Sequence, residues 1–452
     1  MMLADNSDSL RWRLMLADLA TRSIDVQYYL WDRDESGRLL MQHLLRAADR
    51  GVRVRILVDD VFLLRSDKTI ALLDGHPNLE VSIFNPWQRR GSMAQRALEF
   101  LGRAETLNRR MHNKLFVADN RVAIVGGRNI GNAYFGLSDG YNFRDLELVG
   151  AGPVVEDISE SFDLYWNNPW ATRGSAFAGP DYDPAELDPL REELSEGLAG
   201  SIKLRRSGVD RQQLWPSYVK RLAAAPCSAQ SWVVYDDPPV STADDEGVRK
   251  VEKLRDLNPG IRHDLLIASA YFVPTHELLE SLSEMAARGV RVRVLTNSLA
   301  STNHTLVNSG YSPWRRTLLE AGIELYEYRA NPEMTDEVLA TGTRGKSVTL
   351  HTKAFVIDRE MVYVGSLNMD PRSLHINTEM GLLIEDRQLA VKIAHELEQD
   401  MAPENAWRVS MSDDGQMQWE SNAGVRHLQP ARHFGQRIAD FIFGLLPIKD
   451  QL

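Results

Sequence analysis

The chain has 452 residues, of which 43% are apolar, so it is long enough to form two domains with a core in each. Its net charge of −11 argues against a general nucleic-acid binder, whose affinity would rest on neutralising many phosphates. The single cysteine, Cys227, excludes an intrachain disulfide framework and a cysteine-based zinc site.

The first elements along the chain predict an α/β fold. Residues 24–31 ("IDVQYYLW") are apolar and β-branched enough for a buried strand, and residues 38–49 have the apolar spacing of an amphipathic helix. Gly51 follows where a helix C-terminus favours glycine, and "RGVRVRILVDD" (50–60) carries a further strand. This order of helix, glycine and strand is typical of α/β proteins.

Two apolar segments are candidates for contact with a membrane surface. Residues 85–110 carry six arginines and two glutamates between large apolar side chains, a composition that predicts an interfacial helix near anionic lipid, with Arg89, Arg90, Arg96 and Arg103 on the headgroups. The C-terminal "FIFGLL" (441–446) is the second candidate, which we expect to dock onto the fold instead. No run approaches the roughly 18 apolar residues of a spanning helix, so any membrane contact is expected to be peripheral.

The stretch "HNKLFVAD" (112–119) is the first candidate catalytic motif along the chain. Its alternation predicts a strand with His112 and Lys114 on one face. Seven residues of extended chain cover about 23 Å, so Asp119 cannot reach what the two cationic side chains contact. We therefore expect Asp119 to accept N–H groups of the following turn, which is a structural role.

The second half of the chain repeats the first. A strand (264–273), a helix (277–287) and "RGVRVRVLTNS" (288–298) return in the same order, followed by "HTKAFVID" (351–358) with His351, Lys353 and Asp358. An asparagine stands 17 residues after each motif histidine, at Asn129 and Asn368. Residues 171–210 are rich in Gly, Pro and charge, so we place the boundary near 205 and expect domains at 1–205 and 206–452.

A pseudo-two-fold arrangement would bring the two motifs into one phosphodiester site. Two lysines and two asparagine amides would bind the non-bridging oxygens, while one histidine attacks phosphorus and the other protonates the leaving oxygen. This chemistry needs neither a metal nor another cofactor. Asp145, after His112, and Glu379, after His351, are candidates to orient the histidine of their own half, although each is equally consistent with a solvent-facing acid at a strand end.

The segments "MHNKLFVAD…GGRN" and "LHTKAFVID…GSLN" resemble the paired HxKxxxxD motifs of the phospholipase D superfamily. Further stretches, among them "GPVVEDISESFDLYWN" and the ending "LLPI", resemble the bacterial cardiolipin synthase C branch over nearly the whole chain. The resemblance implies two α/β/α lobes with mixed sheets and phosphatidyl transfer between two phospholipids through a phosphohistidine. It also supports Asp145 and Glu379 as histidine partners, a supporting role for Asp119 and Asp358, and the first-half histidine as nucleophile.

The same resemblance sets the expected partners. These are phosphatidylglycerol, with phosphatidylethanolamine as a second candidate substrate, and an anionic membrane surface, with peripheral attachment to the bacterial inner membrane. No nucleic-acid partner is expected, and an accessory protein is left open. Three alternatives remain at this point: a phospholipase D hydrolase that uses water as acceptor, a phosphodiesterase acting on nucleic acid, and a membrane-binding scaffold without activity.

Overall fold

Two α/β lobes follow one another along the chain. The structure is a computed structural model that describes residues 1–61, 67–90, 92–179, 183–225, 229–239 and 251–446, and Cys227 lies outside the described residues. The strands of the first lobe are β1 (Met2–Leu3), β2 (Ser23–Tyr28), β3 (Arg53–Asp59), β4 (Leu79–Phe84), β5 (Leu115–Ala118), β6 (Val122–Gly126), β7 (Tyr141–Arg144), β8 (Glu147–Ala151) and β9 (Ala171–Arg173). Its helices are α1 (Asn6–Leu19), α2 (Glu35–Asp49), α3 (Asp67–Asp74), α4 (Met93–Asn108) and α5 (Val154–Trp166).

Among the described residues, three α-helices connect the lobes, and the second lobe then repeats the plan. The connecting helices are α6 (Leu187–Gly200), α7 (Ile202–Ser207) and α8 (Trp215–Ala223). The strands that follow are β10 (Gln230–Tyr235), β11 (Asp264–Ser269), β12 (Arg291–Asn297), β13 (Glu324–Tyr328), β14 (Ser347–Leu350), β15 (Lys353–Ile357), β16 (Met361–Gly365), β17 (Met380–Glu385), β18 (Ala406–Met411), β19 (Met417–Ser421) and β20 (Gly424–Arg426). The helices are α9 (His276–Ala287), α10 (Thr305–Tyr311), α11 (Arg315–Glu320), α12 (Thr335–Val338), α13 (Pro371–His375), α14 (Arg387–Asp400) and α15 (Phe434–Gly444).

Each lobe is built on one mixed sheet. The first sheet has the order β1-β8-β6-β5-β2-β3-β4-β9, and the second has β10-β17-β16-β15-β11-β12-β13-β18-β19-β20. In both, three consecutive parallel strands (β2, β3, β4 and β11, β12, β13) are continued on one side by an antiparallel motif hairpin, β5-β6 or β15-β16. The predicted mixed α/β architecture and internal duplication are therefore confirmed.

The helix ends follow local sequence rules at equivalent positions in the two lobes. Asp34 caps α2 by accepting a hydrogen bond from the Gly37 N–H, and Thr275 caps α9 in the same way. Beyond the C-terminal ends of these helices, Gly51 has φ +92° and Gly289 has φ +89°, a left-handed conformation that favours glycine. At each of these positions the glycine lets the chain reverse direction and enter the next parallel strand.

The lobes share a hydrophobic core and two backbone ladders. Buried side chains of both sheets form one cluster with α5 and α14, including Leu115, Val117, Phe162, Ala354, Val356 and Leu397. Strand β7 pairs in parallel with β14, and an isolated bridge joins Met111 to Thr378. Each of these ladders links a segment just before one motif histidine to the opposite lobe.

Helix α8 lies beyond the boundary expected near 205 but packs on the first lobe. The indole N–H of Trp215 donates to Asp18 at 3.0 Å, and the Tyr218 ring meets the Trp12 ring edge-on at a centroid distance of 5.3 Å. We therefore propose that the two domains divide between the end of α8 and the start of β10.

Candidate active site

The motif histidines lie just before the strands that the sequence predicted. β5 begins at Leu115 rather than at His112, because the backbone of His112 bonds to the other lobe: its N–H donates to the Thr378 carbonyl at 2.9 Å. His351 repeats this contact, since its N–H donates to the Arg144 carbonyl at 2.7 Å. Both histidines are thus fixed at the interface between the lobes.

The carboxylates that orient the histidines are exchanged between the lobes. Nδ1 of His112 lies 2.8 and 3.0 Å from the carboxylate oxygens of Glu379, which is 267 residues away in the chain. Nδ1 of His351 lies 2.6 Å from Asp145. The expectation that each carboxylate serves the histidine of its own half is therefore wrong. The interface ladders explain this result, because each carboxylate directly follows the residue whose carbonyl accepts from the opposite histidine.

This pairing selects the ring nitrogen that reacts. A carboxylate beside Nδ1 holds the proton on that nitrogen, so Nε2 carries the lone pair in the neutral imidazole. Burial lowers the pKa of both His112 and His351 well below the usual value, and the charges of Lys114 and Lys353 lower it further. These surroundings therefore favour neutral imidazoles, the form in which a histidine is a nucleophile or a base.

The two lysines converge with the histidines. Lys114 and Lys353 are both buried, and each ammonium donates to the carbonyl of the histidine two residues earlier, at 2.6 Å for Lys353. Burial lowers the pKa of Lys114 to about 7 and that of Lys353 to about 8, although Glu379 and Asp145 favour the charged forms. An anion between the two ammonium groups would restore their charge, so the site is suited to a phosphodiester.

The pKa values of the two carboxylates are shifted in the opposite direction to those of the lysines. Burial raises the pKa of Glu379 to about 7 and raises that of Asp145, while the lysine charges act in the opposite direction. The two also have different surroundings. Ser366 donates its hydroxyl to Glu379, whereas a Cβ at the equivalent Gly127 would lie only 2.6 Å from a carboxylate oxygen of Asp145.

The motif aspartates hold the strands rather than the substrate. Asp119 accepts from the backbone N–H groups of Thr21, Arg22 and Ser23 at 2.7–3.1 Å. Asp358 does the same for the segment 262–264 at 2.7–2.9 Å. Although burial opposes it, these backbone donors lower the pKa of both aspartates. The donors belong to the chain entering β2 and β11 and not to the following turn, so the predicted structural role has a different set of partners.

The two motif asparagines are buried but not equivalent. Asn129 accepts from the Leu30 N–H at 3.1 Å and donates to the Tyr134 hydroxyl at 3.0 Å. In the part of the chain that the structure describes, Oδ1 of Asn368 accepts no hydrogen bond. Contact of these amides with substrate stays a prediction.

Sequence reasoning missed the aromatic residues and one cation beside the histidines. The Tyr29 ring meets the His112 ring edge-on at 5.0 Å, while Phe143 lies 4.7 Å from the His351 ring. Arg372 on α13 further lowers the pKa of His112 through its charge. Tyr29 directly follows β2, so its position at the end of a parallel strand was the available signal.

The arginine-rich segment does not present its cations to a membrane as predicted. Arg90 pairs with Asp67 at 2.6 Å and also with Asp60, and Arg103 pairs with Glu99 at 2.6 Å. Arg96 is buried. Arg90 is used inside the lobe because it packs on the acidic C-terminal end of β3, whereas Arg103 pairs within its own helix and Arg89 is exposed. Leu98 and Leu101 of α4 are exposed, so membrane contact by this segment stays a prediction.

Neither a metal cluster nor a membrane span is found in the described residues. Among them, no group of three or more His, Cys, Asp or Glu side chains is placed to hold a metal ion. No helix within the described ranges has the length and apolar character needed to cross a bilayer.

Comparison with known proteins agrees with this geometry. A family model described as cardiolipin synthase, phospholipase D-like domain, matches residues 15–166 and 261–401, one motif in each segment. The chain is 36% identical to cardiolipin synthase C of Escherichia coli strain K12, over 99% of this chain and 94% of that protein. The chain belongs to the phospholipase D-like cardiolipin synthase family.

Two further comparisons, one of sequence and one of structure, are more distant. The chain is 26% identical to a cardiolipin synthase of Staphylococcus aureus strain Mu50, over 85% of this chain and 63% of that protein. The crystal structure of phosphatidylserine synthase from Haemophilus influenzae Rd KW20 superposes with a TM-score of 0.61 at 15% identity, covering 90% of this chain and 86% of that one. At that identity the similarity concerns the fold alone.

Proposed function

We propose that this protein is a phosphatidyltransferase of the cardiolipin synthase type, which moves a phosphatidyl group from one phospholipid to another. The observation that carries the proposal is the crossed pairing of two histidines and two carboxylates between two buried lysines, in a chain 36% identical to a cardiolipin synthase over nearly its whole length. The proposed substrate is phosphatidylglycerol, with phosphatidylethanolamine as a second donor, and the proposed location is peripheral, on the bacterial inner membrane.

The first half-reaction forms a phosphohistidine. Nε2 of His112 attacks phosphorus while its Nδ1–H donates to Glu379, and the bond from phosphorus to the headgroup oxygen breaks. Lys114 and Lys353 neutralise the non-bridging oxygens in the transition state. The negative charge of the bound phosphodiester and the Asp145 carboxylate favour the charged form of His351, which takes up a proton when substrate binds and then gives its Nε2 proton to the leaving alcohol.

The second half-reaction reverses these roles. Neutral His351 takes the proton from the hydroxyl of a second phosphatidylglycerol, whose oxygen attacks phosphorus as the bond to His112 breaks. The products are cardiolipin and the freed headgroup alcohol, and the enzyme returns to its starting protonation. Water in place of the second lipid would give phosphatidic acid, so the acceptor alone separates a transferase from a hydrolase.

A product analysis in defined vesicles tests the proposal. Vesicles of phosphatidylglycerol, alone and mixed with phosphatidylethanolamine, are incubated with protein and analysed by mass spectrometry. From vesicles of phosphatidylglycerol alone we expect cardiolipin and an equal amount of glycerol. From the mixed vesicles we expect ethanolamine as a further product. The His112→Ala variant should release none of these products. Phosphatidic acid as the main product would favour the hydrolase, and no conversion of either lipid would refute the proposal.

A further inference from the structure

Helix α15 turns its polar face toward the protein, whereas an ordinary surface helix buries its apolar face. Its polar residues Gln436 and Asp440 are each only 6% exposed. The Gln436 amide donates to the Leu299 carbonyl at 2.5 Å, and Asp440 accepts from Gln429 at 2.8 Å. Specific hydrogen bonds therefore attach the polar face of the helix to the protein.

The apolar side chains of this segment point away from the fold. Phe434 is 73% exposed, Phe441 70% and Leu445 70%, with Ile438 and Ile442 also exposed between them. Their spacing places them along one stripe of the helix. The expectation that "FIFGLL" docks onto the fold is thus wrong within the described residues, because hydrogen bonding of the polar face decides the orientation.

This apolar stripe, which we call the α15 face (Phe434, Ile438, Phe441, Ile442 and Leu445), begins beside the active site. Arg432, just before the helix, donates to the carbonyl of Ala300 at 2.8 Å and to that of Thr302. These carbonyls lie in the loop after β12, whose last residue, Asn297, donates to the Leu350 carbonyl at 2.8 Å. Leu350 directly precedes His351.

A second path leads from the helix to the site through aromatic rings. Tyr141 is 41% exposed; its partial burial raises its pKa, and the nearby positive charge of Arg432 opposes this rise. The Tyr141 ring lies 5.2 Å from Phe143, which lies 4.7 Å from the His351 ring. The start of α15 is therefore at the rim of the catalytic cleft.

The charge around the α15 face differs from that of the whole chain. Residues 424–446 contain three arginines and two histidines against one aspartate, whereas the full chain has a net charge of −11. Basic residues beside an exposed apolar stripe complement a bilayer with anionic headgroups. Two copies meeting through this face would bring arginines against arginines, which argues against a dimer contact.

We propose that the α15 face inserts into the surface of an anionic phospholipid bilayer and so holds the catalytic cleft against the lipids it uses. The inference rests on the proposed function for the identity of the surface. It adds α15 to the predicted membrane contact of the segment at 85–110, where Leu98 and Leu101 are also exposed.

Vesicle flotation tests this proposal with the full chain. The variant Phe434→Ser/Phe441→Ser/Leu445→Ser removes three exposed side chains with little expected effect on folding. The matched control, Leu19→Ser/Leu164→Ser/Val391→Ser, removes exposed apolar side chains on α1, α5 and α14. On vesicles of phosphatidylglycerol and phosphatidylcholine, we expect the α15 variant to lose about 100-fold in partitioning and the control to match the parent. Equal binding of the α15 variant and the parent would overturn the proposal.

Two further experiments separate a loss of membrane docking from damage to the cleft and from failure of the proposed function. Turnover of a short-chain, monomeric phosphatidylglycerol should be the same in the α15 variant and the parent, since the cleft is unchanged. The binding assay repeated in a His112→Ala background does not depend on turnover, so it still tests docking if the proposed function fails. A dimeric parent that becomes monomeric in the α15 variant, with vesicle binding unchanged, would assign the face to self-association and refute membrane docking.

Discussion

The crossed carboxylates predict which half-reaction each one supports. Replacing Glu379 by Gln removes the carboxylate 2.8 Å from Nδ1 of His112 and leaves an amide of similar size. Asp145→Asn does the same to His351, whose Nδ1 lies 2.6 Å from that carboxylate. We therefore expect Glu379→Gln to slow formation of the phosphohistidine and Asp145→Asn to slow steps that need proton transfer.

The size of the effect follows from the hydrogen bond. A hydrogen bond to a charged partner contributes about 1.5–3 kcal/mol, which corresponds to roughly 10- to 150-fold in rate. An amide can also hold the imidazole in the wrong tautomer, a change that costs on the order of 10⁴-fold in a serine protease triad. We expect Glu379→Gln to lower the rate of adduct formation by about 10²- to 10⁴-fold.

A donor whose leaving group needs no protonation lets the assay measure adduct formation alone. The phosphatidyl ester of 4-nitrophenol has a leaving group that departs without a proton, so His351→Ala should still form the adduct. In that background, Glu379→Gln should slow release of nitrophenolate and Asp145→Asn should have no further effect. The opposite result, with Asp145→Asn slowing the release and Glu379→Gln leaving it unchanged, would refute the crossed assignment.

Four further outcomes follow from the site. Asp119→Asn should lower the free energy of unfolding by about 2–4 kcal/mol in urea titrations and keep kcat at low temperature, because its carboxylate binds the backbone N–H groups of residues 21–23 and the Thr21 hydroxyl, away from the histidines. Because the pKa of Lys114 is about 7 when folded and 10.5 when unfolded, the unfolded chain binds more protons between these values. The parent should therefore gain stability relative to Lys114→Met as pH rises from 7 to 10, by on the order of 4 kcal/mol in thermal melts. Gly127→Ala should push Asp145 away and slow acceptor transfer, whereas Ser366→Ala should slow adduct formation, both measured with the nitrophenyl donor. Because two ammonium groups and two imidazoles supply the charge and the proton transfer, EDTA should leave turnover unchanged.

Each of these outcomes has a control and a contradicting result. Asp358→Asn should destabilise the second lobe in the same way, and an Asp119→Asn protein that melts like the parent but is inactive would contradict the structural role. A stability difference for Lys114→Met that is independent of pH would show that Lys114 is not neutralised by burial. If Gly127→Ala and Ser366→Ala slowed both half-reactions equally, this would contradict the assignment of Gly127 to Asp145 and of Ser366 to Glu379. Loss of turnover in EDTA, restored by one specific metal, would contradict a metal-independent reaction.

The duplication made much of the fold predictable from the sequence. Gly51 and Gly289, the paired helices and strands around them, and the two motif hairpins follow from local patterns that occur twice. The separation of Asp119 from the reacting groups also followed from the length of an extended strand. These predictions depend on neighbouring residues, which the sequence specifies directly.

The failed predictions concern partners from distant parts of the chain. Asp145 is closer in sequence to His112, but the pseudo-two-fold interface brings it to His351. Composition could not tell that Arg90 is balanced by acidic residues on its own lobe. Nor could periodicity tell which face of α15 is buried, because that depends on carbonyl acceptors such as that of Leu299.

The position of the covalent adduct tests the central claim most directly. His351→Ala protein is mixed with the nitrophenyl donor, quenched in denaturant at alkaline pH to preserve the phosphorus–nitrogen bond, and analysed by peptide mapping and phosphorus NMR. The crossed site predicts one phosphatidyl group on Nε2 of His112, because Nδ1 faces Glu379 at 2.8 Å. An adduct on Nδ1 or on another residue, or turnover without any adduct, would contradict the account.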